Sequence, residues 1–107
     1  MRGDIVTIAM QGDFGKPRPA LVIQANQYSA HSSTTILPIT STLVTAPLLR
    51  VTLQPSAENG LQKLSQVMVD KTMTVKRDKL GSAFGRIGED KMVEVERCLA
   101  MFLGIAK

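Results

Sequence analysis

Arg18 stands between two prolines, Pro17 and Pro19, and runs into the apolar stretch Ala20-Leu21-Val22-Ile23. Proline fixes its own φ and biases the residue before it toward extended backbone. Lys16 and Arg18 both precede a proline, so both are expected to be extended. Arg18 is then a guanidinium held by stiff backbone at the mouth of a buried strand, able to fork two N–H donors onto phosphate or carboxylate oxygens. Three further groups could do chemistry. Thr40-Ser41-Thr42 places hydroxyls just past the apolar run that ends Pro38-Ile39, where they could donate hydrogen bonds into a cleft. Asp70-Lys71-Thr72 puts an acid beside a base directly after Ser65-Gln66-Val67-Met68-Val69. Lys76-Arg77-Asp78-Lys79 is the densest basic run, suited to a phosphate backbone. Each also has an ordinary reading: a solvated arginine, turn hydroxyls bonded to nearby backbone, an exposed ion pair, a charged loop.

Other chemistries find little support. His31 is the one histidine, in a Ser/Ala neighbourhood, and the acids do not cluster at metal-ligand spacing. His31 remains a possible general acid or base. Neither a phosphate-cradling glycine loop nor a Gly-x-Ser-x-Gly element occurs. Cys98 is the single cysteine, so no internal disulfide or cysteine metal cluster is expected, and a reducing compartment fits. The 107 residues carry a net charge of +4, which suggests an anionic partner, nucleic acid first. Between Lys63 and Arg86 lie six basic residues and two acidic ones, Asp70 and Asp78, a local excess equal to that of the whole chain. The aromatics are Phe14, Tyr28, Phe84 and Phe102. Base stacking is expected only from Phe14 and Tyr28, near loops. Neither a signal peptide nor a membrane-spanning apolar run is evident, so a cytoplasmic protein of one domain, residues 1–107, with no membrane contact is expected.

The elements that must position these residues read mostly as short strands. Ile5–Met10, Ala20–Gln24, Thr34–Ile39 (with Pro38 near its end), Leu48–Leu53, Leu64–Val69, Met73–Val75 and Ser82–Ile87 are β-rich or apolar runs. Between them, Gln11–Gly15, Asn26–Ser33 and Gln54–Gly60 read as loops. One helix is expected, Glu89–Leu103, with Met92, Val95, Leu99, Phe102 and Leu103 on one stripe, acids in its first turn and Gly104 ending it. Short strands at close spacing plus one helix suggest a mainly β, α+β fold: a small, strongly bent antiparallel sheet or barrel with a C-terminal α-helix.

Arg2-Gly3-Asp4-Ile5-Val6, Arg18-Pro19-Ala20-Leu21-Val22-Ile23, Pro38-Ile39-Thr40-Ser41, Ser65-Gln66-Val67-Met68-Val69-Asp70-Lys71, Val75-Lys76-Arg77 and Leu80-Gly81 follow one another in that order, ahead of the helix. Together they resemble the MazF/PemK (Kid) toxins of type II toxin–antitoxin systems, over nearly the whole chain. The resemblance implies an SH3-like barrel that forms a homodimer. It implies metal-independent, sequence-specific cleavage of single-stranded RNA without a cofactor, giving 2′,3′-cyclic phosphate and 5′-hydroxyl ends. It implies a cognate antitoxin whose disordered tail blocks the RNA groove, with operator DNA met only through the toxin–antitoxin complex. Arg18 matches the catalytic arginine, Thr40 the catalytic threonine, and Asp70 the acid of the Kid-like branch. Lys16, Ser41, Lys71, Lys76, Arg77 and Lys79 are the RNA-binding candidates. Asp13-Phe14-Gly15-Lys16-Pro17 replaces the usual glutamate-containing pattern, and Met68 replaces an arginine of the Kid-like branch. The ending Met101-Phe102-Leu103-Gly104-Ile105 is also similar to CcdB, a gyrase poison on the same fold, which keeps a gyrase poison as one alternative; the missing glutamate and Met68 keep a non-catalytic nucleic-acid-binding barrel as another.

Overall fold

The computed structural model describes residues 1–9 and 16–106. Met10, the loop expected at 11–15 and Phe14 lie outside the described residues. The strands are β1 (Asp4–Ala9), β2 (Pro17–Val22), β3 (Ser33–Thr40), β4 (Arg50–Leu53), β5 (Ser65–Met68), β6 (Met73–Lys76) and β7 (Leu80–Arg86), followed by α1 (Glu89–Phe102). All pairings are antiparallel, in the order β4-β5-β3-β2-β1-β7, with β6 joined to β3 off this path. β4 and β7 do not pair with one another, so the expected barrel is an open one.

The bend comes from β3, which changes partners along its length. One of its edges pairs β6 over Ser33–Ile36 and then β5 at Ile39 and Thr40. This folds the sheet around two apolar clusters that use opposite faces of the same strands. Ile5, Leu21, Leu37 and Ile39 point to one cluster with Val51, Val67, Val69 and Val95. Val6, Ile8, Ala20, Val22 and Ile36 point to the other, covered by Met73, Val75 and Leu80. Burial on both faces is why the central strands read as unbroken apolar runs rather than as alternation.

Boundaries shift for local reasons. β2 starts at Pro17, ahead of the expected Ala20, because extended prolines are tolerated where their missing N–H is not required. β7 starts at Leu80 instead of Ser82 and ends at Arg86. Val69 leaves the strand to open a 3₁₀ turn, Val69–Lys71. The helix ends as the sequence suggests: Gly104 has φ 75°, its N–H donates to Met101 O, and Ile105 N–H donates to Ala100 O, the Schellman pair. Its apolar stripe is only half used, however. Val95 is buried, Met92 and Leu99 are partly buried, and Phe102 and Leu103 are exposed. No helix among the described residues is long and apolar enough to cross a membrane.

Candidate active site

Two strand ends and one turn converge at the rim of the sheet. Neither Pro17 nor Pro19 has an N–H to offer, and the β2–β3 ladder ends at Ala20 opposite Pro38. Two residues further along each strand stand Arg18 and Thr40. Beyond that point β2 and β3 no longer pair with each other and leave a cleft of about 560 Å³ lined by Arg18, Pro38, Ile39, Thr40, Met68, Asp70, Lys71, Thr72 and Met73. Its polar walls come from β2, the end of β3 and the 3₁₀ turn after β5.

Each polar group has a defined environment. Thr40 Oγ1 accepts a hydrogen bond from Thr42 N–H at 3.1 Å, the turn chemistry its neighbours suggested. That bond uses a lone pair and leaves the hydroxyl proton as a donor. One oxygen of Asp70, Oδ1, is enclosed and has no hydrogen-bond partner. The other, Oδ2, lies 3.9 Å from Lys71 Nζ. An enclosed carboxylate oxygen without a donor is uncommon, since buried polar atoms nearly always find a partner. Among the described residues, no three His, Cys, Asp or Glu side chains come together as a metal-binding group.

A second cleft, about 840 Å³, adjoins the first and shares Arg18 and Ile39 with it. Ser41, Lys63, Gln62, Thr7 and Phe84 are among its other walls. Arg18 therefore divides two clefts. Ser41 belongs to the second, not beside Thr40 in the first. Lys16 is exposed just ahead of β2.

The basic run lies elsewhere. Lys76 pairs with Ser33, at the far end of β3 from Thr40. An eight-residue strand separates them by roughly 20 Å. Arg77 is tied down there, its Nε–H donating to His31 O at 2.8 Å and its N–H to Ser32 O. Tyr28 and His31 keep each other company, ring centroids 5.5 Å apart, and line neither cleft.

Two side chains escape sequence reasoning. Gln66 is 7% exposed and faces Thr40 across the β3–β5 ladder. Its Oε1 accepts from Val44 N–H (3.1 Å) and Arg50 Nη1 (3.2 Å), and its Nε2 donates to Val44 O (3.0 Å) and Thr52 Oγ1 (3.3 Å). A polar residue inside an apolar run was the available signal. Phe84, by contrast, reads as an ordinary strand residue, yet its ring is exposed in the second cleft.

Comparison with known proteins places this geometry. Residues 1–103 match the model of the PemK-like, MazF-like toxins of type II toxin–antitoxin systems. The chain is 45% identical over 106 residues to the probable endoribonuclease MazF of Mycolicibacterium smegmatis, covering 98% of this chain and 97% of that protein. The fold superposes with a TM-score of 0.83 on a mycobacterial endoribonuclease solved with its cognate antitoxin, at 24% identity, covering 100% of this chain and 97% of that one. It gives the same score, 0.83, against the Mycobacterium tuberculosis toxin MazF-mt6, at 23% identity, covering 97% and 99%. The open, bent sheet with its C-terminal helix and the match along nearly its full length lead to one conclusion: the chain belongs to the PemK-like, MazF-like toxins of type II toxin–antitoxin systems.

Proposed function

We propose that this chain, an endoribonuclease toxin of its family, cuts single-stranded RNA without a metal ion, using the RNA's own 2′-hydroxyl as nucleophile. The observation that carries the reading is the convergence of Arg18, Thr40 and Asp70 on one cleft from three separate elements. Asp70 takes the proton of the 2′-hydroxyl. The 2′-oxygen then bonds to phosphorus while the bond from phosphorus to the 5′-oxygen breaks. Arg18 and the Thr40 hydroxyl donate to the phosphoryl oxygens as negative charge builds there. The proton that Asp70 took is passed on, through solvent, to the departing 5′-oxygen, which restores the carboxylate. The products are a 2′,3′-cyclic phosphate and a 5′-hydroxyl, so atoms and charge balance with no outside reagent.

Lys71 and Lys16 near the clefts, and Ser41 in the second, bind the strand; Lys76 and Arg77 meet it where it extends along β3, and Lys79, next to the Leu80 that pairs with Ile8, meets it beyond β1. A cognate antitoxin is the protein partner, as in the MazE–MazF complex of Deinococcus radiodurans, whose fold matches at a TM-score of 0.78. Operator DNA is contacted only within that complex. The working form is a cytoplasmic homodimer, supported by the unburied apolar end of the helix: Met101, Phe102, Leu103 and Ile105 are each 48% exposed or more.

The test is a digest of long single-stranded RNA by the purified protein in EDTA, with Arg18→Ala alongside. Discrete cuts with 2′,3′-cyclic phosphate ends, absent in the variant, are expected. Intact RNA from folded wild-type protein would overturn the reading and direct attention to gyrase.

A further inference from the structure

The second cleft contains an exposed ring that the reaction as described leaves unused. Phe84 is 40% exposed, although its place in a strand would allow an apolar ring to be buried. The β1–β7 register explains why. Ile5 opposes Gly85 and the next residue, Val6, opposes Ala83, so Phe84 is the extra residue of a β-bulge. A bulge breaks alternation and re-aims a side chain. Here the ring is aimed into the cleft that Arg18 bounds.

The ring also stands on a built base. Gly60 has φ +68°, and a Cβ on it would lie 2.6 Å from Phe84 O and 2.9 Å from Phe84 Cδ1. Only glycine lets the loop backbone come that close. The neighbouring Asn59 is 7% exposed. Its Oδ1 accepts from the N–H groups of Ser56 and Leu61, and its Nδ2 donates to Gln54 O. Among the described residues, the charged walls of this cleft are Arg18 and Lys63. A flat apolar face beside two cations fits a nucleobase carried on a phosphate backbone.

We propose that Phe84 is a stacking platform for a base adjoining the scissile phosphate, with Arg18 marking the boundary between reaction cleft and base cleft. This rests on the ribonuclease reading above and adds where the strand goes next. Stacking is tolerant of base identity. The polar neighbours Gln62, Ser41 and Thr7 are the groups placed to distinguish one base edge from another.

The experiment uses a short RNA spanning one mapped cut, with a 2′-deoxy nucleotide at the scissile position so that it binds without reacting. 2-Aminopurine is placed at each position around the cut in turn. Wild-type protein is expected to quench the fluorescence at one position beside the scissile bond. Phe84→Leu, which keeps apolar bulk, should weaken binding about 5- to 100-fold and remove that quench. Phe84→Tyr should restore both. Thermal melting of each variant reports that it is folded. Wild-type binding and quenching by Phe84→Leu, or losses that Tyr does not rescue, would overturn the platform while leaving RNA cleavage standing. Normal RNA binding with lost binding of an antitoxin peptide would assign the cleft to the protein partner instead. Failure of the wild type to cut any RNA would overturn both readings.

Discussion

Gln66 and Thr40 face each other across the β3–β5 ladder, and the Gln66 carboxamide holds the loop that continues from Thr40. Val44 is bonded through both its N–H and its C=O to this one side chain, while Arg50, bonded to Gln66 Oε1, also reaches Thr42 O at 3.4 Å. Thr42 N–H in turn donates to Thr40 Oγ1. In the proposed reaction Gln66 is thus a positioning residue: it fixes the turn that orients the Thr40 hydroxyl without meeting the phosphate itself. Gln66→Ala should lower kcat by about 10- to 100-fold with a smaller change in KM, as expected for slight misplacement of a catalytic donor. It should also cost about 1–3 kcal/mol of stability, because buried partners lose their bonds. A kcat equal to wild type in steady-state cleavage of a short RNA would reduce Gln66 to a structural residue.

Arg18 and Thr40 should differ in how they fail. Arg18→Lys keeps the charge but loses the planar fork, and should remain at least about 100-fold below wild type. Thr40→Ala should lose about 10- to 1000-fold, while Thr40→Ser, which retains a hydroxyl, should recover most of the rate. Single-turnover rates measure both. A normal Thr40→Ala rate would leave that hydroxyl with only its bond to Thr42.

Charge placement predicts a length-dependent salt effect. Lys63 and Lys71 line the clefts, whereas Lys76 and Arg77 sit at the other end of β3. For a short oligonucleotide, removing Lys63 or Lys71 should flatten the dependence of log K on log salt by about one unit each. Removing Lys76 or Arg77 should alter the slope only for RNA long enough to cover roughly another 20 Å. Equal effects of both sets on the short strand would refute this route.

The apolar end of α1 predicts assembly. Phe102→Asp combined with Leu103→Asp should shift the protein from dimer to monomer in analytical ultracentrifugation, with little loss of secondary structure, since both side chains are exposed within the chain. An unchanged sedimentation coefficient would remove this surface from the interface.

Gly60→Ala should destabilise the fold by about 1–3 kcal/mol, combining a positive φ with a clash against Phe84. Chemical denaturation checks the magnitude. A midpoint equal to wild type would mean that the loop moves off the ring at little cost.

The sequence made the strand-rich fold and the terminal helix legible, and with them the place of Arg18, Thr40 and Asp70 at or just past strand ends, because each depends on local signals: prolines, apolar runs and a closing glycine. Phe84 was hidden because a bulge depends on register between β1 and β7, which no local pattern encodes. The distance of Lys76 and Arg77 from the cleft was hidden for a related reason. Lys76 pairs with the start of β3 and Arg77 bonds to Ser32 just before it, while the Thr40 hydroxyl lies at its end. Half the helix stripe misled in the opposite direction, since apolar spacing marks a face to be covered and does not say by what.

The prolines around Arg18 bear on control of the protein as well as on its chemistry. Their rings hold the backbone extended and end the ladder where the cleft begins. A cleft opened in this way is set by strand backbone, so it is present whenever the sheet is folded. A toxin built on such a cleft is restrained by stoichiometry: enough of a second molecule to keep the opening filled.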